Sequence, residues 1–489
     1  MDFDIKRFDQ YREDNRLEVK KAKGGLPNSL WETYSSMANC YGGVILLGVI
    51  EKTDGSFETT GLKDVEKLRR DFWNLVNNPK KVSVNLLTDD DLESYEVNGD
   101  VILAVHMQRA KREDKPVYIN EDMFKGTFRR DGEGDYHCTK AEVKAMLRDQ
   151  TEETMDMKVL EDMEMSDLNM ETVHAYRNRH TAYRNEHVWE ALKDEEYLER
   201  IGAAKRAKSD GKLHPTAAGL LMFGEEFKIL YEYPEYFLDY REMLDPSIRW
   251  TDRLQSSSGD WTGNLFDFFF RVNSKLAKDL KIPFKLEGIT RIDDTPVHKA
   301  LREALANCLV NTDFFVPRGV VIRKDQDKII LENPGYIRTG KDQMLKGGIS
   351  DPRNKALMKM FNMIGIGERA GSGVPDIYAV WESQGWVAPE VEEQYNPDRT
   401  LLTLSFIPAN EGINEGINEG INEGINTELN DNERTVLNAI ITNPNHSVKK
   451  IEETTGISRA TIERAIKKLK DRKIIERVGS NKTGYWKIN

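Results

Sequence analysis

The sequence predicts a multidomain chain of mixed α/β and α+β architecture, with a small basic module of helices and a hairpin at its C-terminal end. Three observations predict it. The 489 residues exceed one core, and at roughly 100–200 residues per domain three or four units are expected. Apolar runs of strand length alternate with segments of helical period. Glu411–Asn426 reads EGIN four times and separates the body from the last sixty or so residues. The domains are placed at residues 1–150, 151–295, 296–408 and 428–489, with a linker at 409–427. The repeat reads as linker because Gly, Asn and Glu disfavour a packed core. A period of four would alternatively align Ile413, Ile417, Ile421 and Ile425 as an oligomerising helix face. Four glycines at about 1 kcal/mol each oppose such a helix.

Composition narrows the class. Hydrophobic residues make up 39% and charged residues 31%, enough for several cores. No run reaches the ~18 apolar residues of a membrane span, so no membrane partner is expected. The opening MDFDIKRFDQYREDN has no apolar signal core, and Cys40, Cys138 and Cys308 show neither disulfide nor zinc spacing. Both features lead to the expectation of a cytoplasmic protein. The net charge is -12, but Asp431–Asn489 holds 13 Lys and Arg against 7 Asp and Glu, a net of +6. The remainder therefore carries -18, so a basic module is attached to an acidic body.

In residues 1–150, Trp31–Tyr41 predicts a helix and GGVILLGVIE a buried strand. Asp54-Gly55 turns the chain into the hairpin partner FETTGL, and KPVYI and GTFRRDG predict later strands. These pieces, with Glu13, LEVK and the CTKAEVKAML helix, resemble in their order the Schlafen AlbA-like domain over about 140 residues. The resemblance implies an α/β nucleic-acid-binding domain for RNA or single strands, some of whose members are metal-dependent endoribonucleases. It implies that Glu13, Glu18 and Glu51 are the catalytic, metal-binding trio for Mg or Mn, with Asp54 as the next candidate. Clustered carboxylates suit a hard divalent cation set against a phosphate. Ile50 stands where many relatives carry an acid, so binding without cleavage is the other reading. Lys20, Arg129 and Arg130 are the expected phosphate contacts.

Residues 151–295 carry a polar, helical stretch at Glu171–Glu199 and then LHPTAAGLLMFG, which predicts a capped, buried helix. In residues 296–408, PVHKALREALANCLVNTDFF has helical spacing and presents Glu303 and Asn307 on one face, four residues apart. GVVIRK and KIILENPG predict strands, followed by GGISDPRN and GIGERAGSGVPDI. This order resembles the divergent GHKL ATPases of bacterial transcriptional regulators. The resemblance implies ATP as cofactor, Asn307 as a magnesium ligand, Glu303 orienting water, and Gly371 and Gly373 approaching phosphates. Asn311 and Thr312 depart from the regulators' pattern, and Glu332-Asn333-Pro334-Gly335 replaces the Asp-x-Gly-x-Gly box. Nucleotide binding or a fold kept for dimerisation is therefore expected rather than hydrolysis, and a homo-oligomer fits the second.

Residues 428–489 read most directly. ERTVLNAIITNP predicts a first helix, and Ser447 caps VKKIEETT. Gly456-Ile457-Ser458 turns into RATIERAIKKLKDR, with Ile462, Ile466 and Leu469 inward. KIIERVG and YWKIN predict a wing. The module resembles bacterial winged helix-turn-helix regulators. The second helix of such a motif enters the major groove by its N-terminal residues. The DNA-binding residues are thus expected to be Ser458, Arg459, Thr461 and Arg464, aided by Lys449, Lys450, Arg477 and Lys482. Two functions fit these readings: a DNA-binding transcriptional regulator, or a Schlafen-type metal-dependent nuclease serving in defence and targeted by its winged helix.

Overall fold

The run Gly43–Leu47 is buried at every position, as a strand covered on both faces must be. The structure, a computed structural model, describes residues 3–278, 285–287, 290–292, 295–367, 371–395, 398–409, 433, 435–437, 448–455, 457–471, 475–478 and 485–488. Gly43–Leu47 lies inside a four-stranded sheet ordered Leu17–Lys20, Gly43–Leu47, Asp100–Met107, Leu92–Val97. Leu17–Lys20 joins it in parallel, with Glu18 opposite Ile45. Gly43 is required there, since a Cβ would stand 2.3 Å from the Arg16 carbonyl oxygen. The helix Ser29–Asn39 covers one face and sets Trp31, Tyr34 and Met37 against Ile45, Leu47 and Phe72. Phe8, Leu17, Val44 and Ile102 form the core of the other face.

The expected hairpin forms between Val49–Glu51 and Phe57–Thr59, and GTFRRDG supplies Phe128–Asp131, paired with Gly134–His137. KPVYI is not the strand that its composition predicts: Tyr118 and Ile119 make only isolated bridges. Pro116 has no N–H to donate. The side chain of Asn39 takes the place of a neighbouring strand, accepting from the Val117 N–H at 2.9 Å and donating to its carbonyl at 2.8 Å.

A second sheet has six strands, ordered Asp252–Gln255, Leu238–Met243, Val320–Asp325, Lys328–Pro334, Arg399–Ser405, Glu390–Gln394. Its first two strands come from residues 151–295, and Leu238 pairs in parallel with Val320. The connector and the residues after 296 thus build one sheet. Thr216 caps the helix Ala217–Phe223, every residue of which is buried. The polar stretch expected as helical forms two helices, Met170–Tyr183 and Asp194–Ile201. Pro296 opens the helix Pro296–Val310, where its missing N–H costs nothing.

The chain divides into two compact units, residues 1–381 with 389–404 and residues 382–388 with 405–489. In the second, the helices Val448–Thr455 and Arg459–Asp471 bury Ile451, Ile462, Ile466 and Leu469. Ile475–Val478 and Tyr485–Ile488 form the antiparallel hairpin of the wing. Glu433 and residues 435–437 are helical, whereas the EGIN repeats, the Ser447 cap and the rest of the predicted first helix lie outside the described residues. The three cysteines are free and buried. Among the described residues no helix is long and apolar enough to cross a membrane.

Candidate functional site

Three groups of predicted residues can be followed. The first is the carboxylate trio. Glu18 is buried in the strand Leu17–Lys20; one of its oxygens is bound by the Lys20 ammonium and the other accepts from Arg130 at 2.7 Å. Arg130 is itself fully buried and also bonds Asp135 at 3.0 Å and the Asp14 carbonyl at 2.8 Å. Glu13 folds back to accept from the Val19 N–H at 2.9 Å. Glu51 is exposed at the end of its hairpin strand, and Asp54 accepts from the Ser56 N–H in the turn. Burial first, and then the charges of Glu18 and Glu51, push the Glu13 carboxyl above its ordinary value, against the pull of the Val19 N–H. The three acids are therefore electrostatic neighbours.

They do not fit a shared divalent ion. Both Glu18 oxygens already face internal cations, and among the described residues no three His, Cys, Asp or Glu side chains are placed to hold one metal. The expected phosphate contacts all make internal ion pairs. Lys20 and Arg130 neutralise Glu18, and Arg129 pairs with Glu142 at 3.2 Å and Asp131 at 3.3 Å.

The second group gathers around one cavity. Glu303, Asn307, Gly371 and Gly373 all line it, with free space of about 1100 Å³ when its open mouth is included. Asn307 donates to the Glu303 carboxylate at 3.1 Å, the pairing that i, i+4 spacing allows. Gly373 opens the helix Gly373–Ser383, and a Cβ there would stand 2.1 Å from that carboxylate. Gly371 has φ +72° and accepts from the Gly348 N–H at 3.1 Å. Residues 368–370 before it lie outside the described residues.

Leu331, Ile377 and Leu402 give the cavity apolar walls, and Asn333, from the stretch that replaces the Asp-x-Gly-x-Gly box, also lines it. No lysine is among its described lining residues, and Arg338, the one arginine among them, donates to the Pro352 carbonyl and pairs with Asp351 at 3.4 Å. Asn307 and the backbone N–H groups at the start of Gly373–Ser383 are the groups that would face a phosphate or its ion. The other departures are held by the fold itself: Glu332 pairs with Arg399 at 2.7 Å, Asn311 donates to the Asn307 carbonyl at 2.9 Å and Thr312 to the Cys308 carbonyl at 2.8 Å. Tyr336, Ile337 and Asp351 also line the cavity and have no assigned role in the sequence patterns; Tyr336 and Ile337 follow the NPG motif and Asp351 lies within SDPRN.

The third group is on the helix Arg459–Asp471. Ser458, Arg459 and Arg464 are exposed and Thr461 is half-buried, opposite the buried Ile462, Ile466 and Leu469. The Ser458 and Thr461 hydroxyls lie 3.0 Å apart at the helix start, and Arg459 pairs with Glu463 at 3.0 Å. Lys450 is exposed on the preceding helix. Lys449 and Arg477 fall within the described helix and strand, and Lys482 lies outside the described residues.

Comparison with known proteins accounts for most of the chain in pieces. Residues 13–139 match the family model of Schlafen, AlbA_2, and residues 144–239 match a domain of unknown function, DUF8451. Residues 318–403 match HATPase_c_4, the recG C-terminal model, and residues 427–484 match MarR_2 of the MarR family. No curated protein matches. A crystal structure of a Corynebacterium diphtheriae protein is 18% identical, with 97% of this chain and 91% of that one covered and a TM-score of 0.41. The N-terminal domain of a RecG-related protein from Nitrosomonas europaea is 26% identical over 25% of this chain and 82% of its own, with a TM-score of 0.19.

Proposed function

We propose that this chain, which joins a Schlafen AlbA_2 domain, an HATPase_c_4 domain and a MarR-type winged helix, is a cytoplasmic DNA-binding transcriptional regulator. The winged helix reads duplex DNA. The N-terminal domain binds a second nucleic acid without metal-dependent cleavage, and the central cavity takes a nucleotide without turning it over. The observation that carries this reading is the helix Arg459–Asp471, whose N-terminal residues Ser458, Arg459 and Arg464 are exposed while its other face is buried. That is how a recognition helix presents itself to a major groove. The buried pairing of Glu18 with Arg130 supports binding over cleavage in the N-terminal domain.

The test is fluorescence anisotropy of the full chain with labelled duplex DNA across a salt series. Affinity is expected to fall steeply with salt, because bound Lys and Arg release counterions. Arg459→Ala is expected to weaken specific binding by about 1–3 kcal/mol. Salt-independent binding, or none at low salt, overturns the assignment. Labelled tRNA and single-stranded DNA, incubated with Mg²⁺ or Mn²⁺, test the N-terminal domain: cleavage lost in Glu18→Gln would restore the nuclease reading.

A further inference from the structure

The segment from Ile337 to Asp351 forms one wall of the central cavity. Its two feet are gripped from outside by two arginines, three residues apart, that follow the strand Asp100–Met107 of the N-terminal domain. At the first foot, Arg109 makes a two-pronged pair with Glu393 at 2.6 and 2.9 Å and donates to the Ile337 carbonyl at 3.1 Å. Glu393 completes the ring by accepting from the Ile337 N–H at 2.8 Å. At the second foot, Arg112 bonds Asp351 at 2.7 Å and also donates to the carbonyls of Asp149, Gln150 and Thr151. Between the feet lie the short helix Lys341–Lys346 and two glycines, Gly347 and Gly348, at φ +71° and +79°. Such a segment bends easily once a foot is released.

The grip is buried. Arg109, Lys115 and Arg353 all approach the ring of Tyr336, at 5.6, 4.5 and 5.3 Å, and Tyr336 also lines the cavity. Burial lowers the Lys115 ammonium to about 8 and raises the Asp398 carboxyl to about 7, so charge at this junction is held at a cost. Truncating one partner of a buried charge pair leaves the other uncompensated.

We infer that Arg109 and Arg112 make the cavity wall a coupling element, through which a ligand in the cavity and a nucleic acid on the N-terminal domain change each other's binding. The inference rests on the nucleotide reading above for its ligand. A ligand touching Ile337 and Asp351 favours the gripped arrangement, and the N-terminal domain holds that arrangement through the same two residues. Coupling between two sites is reciprocal.

Hydrogen–deuterium exchange on the full chain tests it, in wild type, Arg109→Gln, Arg112→Gln and Asp351→Asn, each with and without MgATP. Without nucleotide, exchange at residues 337–351 is expected to rise by about tenfold or more in each variant, given the strength of charged hydrogen bonds. The strands Gly43–Leu47 and Val320–Asp325 serve as internal controls for folding. In wild type, MgATP is expected to slow exchange both at 337–351 and at 108–114. Unchanged exchange at 337–351 in the nucleotide-free variants overturns the inference whatever nucleotide does. Protection at 337–351 that never reaches 108–114 overturns it as well. If MgATP protects nothing in wild type, the nucleotide reading fails, and the nucleotide-free arm still decides whether the grip exists. Where an arginine variant loosens the control strands, Asp351→Asn frees the same foot from the other side.

Discussion

The carboxylates of Glu18 and Glu303 differ in what surrounds them. Around Glu18 the fold supplies two cations, Lys20 and Arg130, and closes over them until Arg130 has no exposure. Among the described residues, Glu303 meets the amide of Asn307 and the bare backbone of Gly373, and it lines a cavity. A buried carboxylate needs a partner, and for Glu18 the protein's own cations supply it. The same residue type is therefore architectural in one region and accessible in the other.

The comparison breaks first at Arg130. Arg130→Ala leaves Glu18 and Asp135 buried without their guanidinium, and is expected to lower the stability of the N-terminal domain by about 3–5 kcal/mol in urea denaturation. A loss below about 1 kcal/mol would mean that solvent or Lys20 meets the Glu18 charge, reopening the site to a metal ion.

The cavity side is sharpened by Gly373→Ala. Its Cβ would meet the end of the Glu303 side chain, which must swing away from its place beside Asn307, so stability is expected to change by no more than about 1 kcal/mol. Calorimetry with MgATP is expected to show affinity reduced by roughly tenfold or more, the equivalent of about 1.4 kcal/mol. Asn307→Ala, which leaves the backbone alone, should reduce it too. Equal affinity in all three proteins would move the nucleotide elsewhere.

The smallest effect belongs to Glu13→Gln. Because burial and the charges of Glu18 and Glu51 raise the folded-state value of Glu13 above its unfolded one, the folded protein holds the extra proton in that window. Stability attributable to Glu13 is then lost as pH rises from the ordinary carboxylate range through the raised value, and stays lost at neutral pH. Glutamine removes that loss and can still accept from the Val19 N–H. Thermal midpoints should show the variant stabilised at pH 7 by under about 1 kcal/mol, since the carboxyl is only half-buried and solvent screens it. No difference is expected below the carboxylate range. A variant less stable at pH 7 would show instead that Glu13 carries a favourable charge contact.

What could be read in the sequence was set by short-range geometry. The helical period places Glu303 beside Asn307, and it places Ile462, Ile466 and Leu469 on the buried face opposite Arg464. Alternation and turn residues located the Val49–Glu51 hairpin, and the motif order located the cavity residues together. These patterns depend on backbone repeats of two or 3.6 residues and need no knowledge of the rest of the chain. The tertiary structure alone decided which charges meet. Arg130 finds Glu18 across 112 residues and Arg109 finds Glu393 across 284. The side chain of Asn39 makes a strand unnecessary beside Val117, and residues 238–255 join a sheet begun far downstream. A charged residue looks alike in sequence whether it faces solvent, an internal partner or a ligand, because its role is set by whatever distant segment folding brings against it.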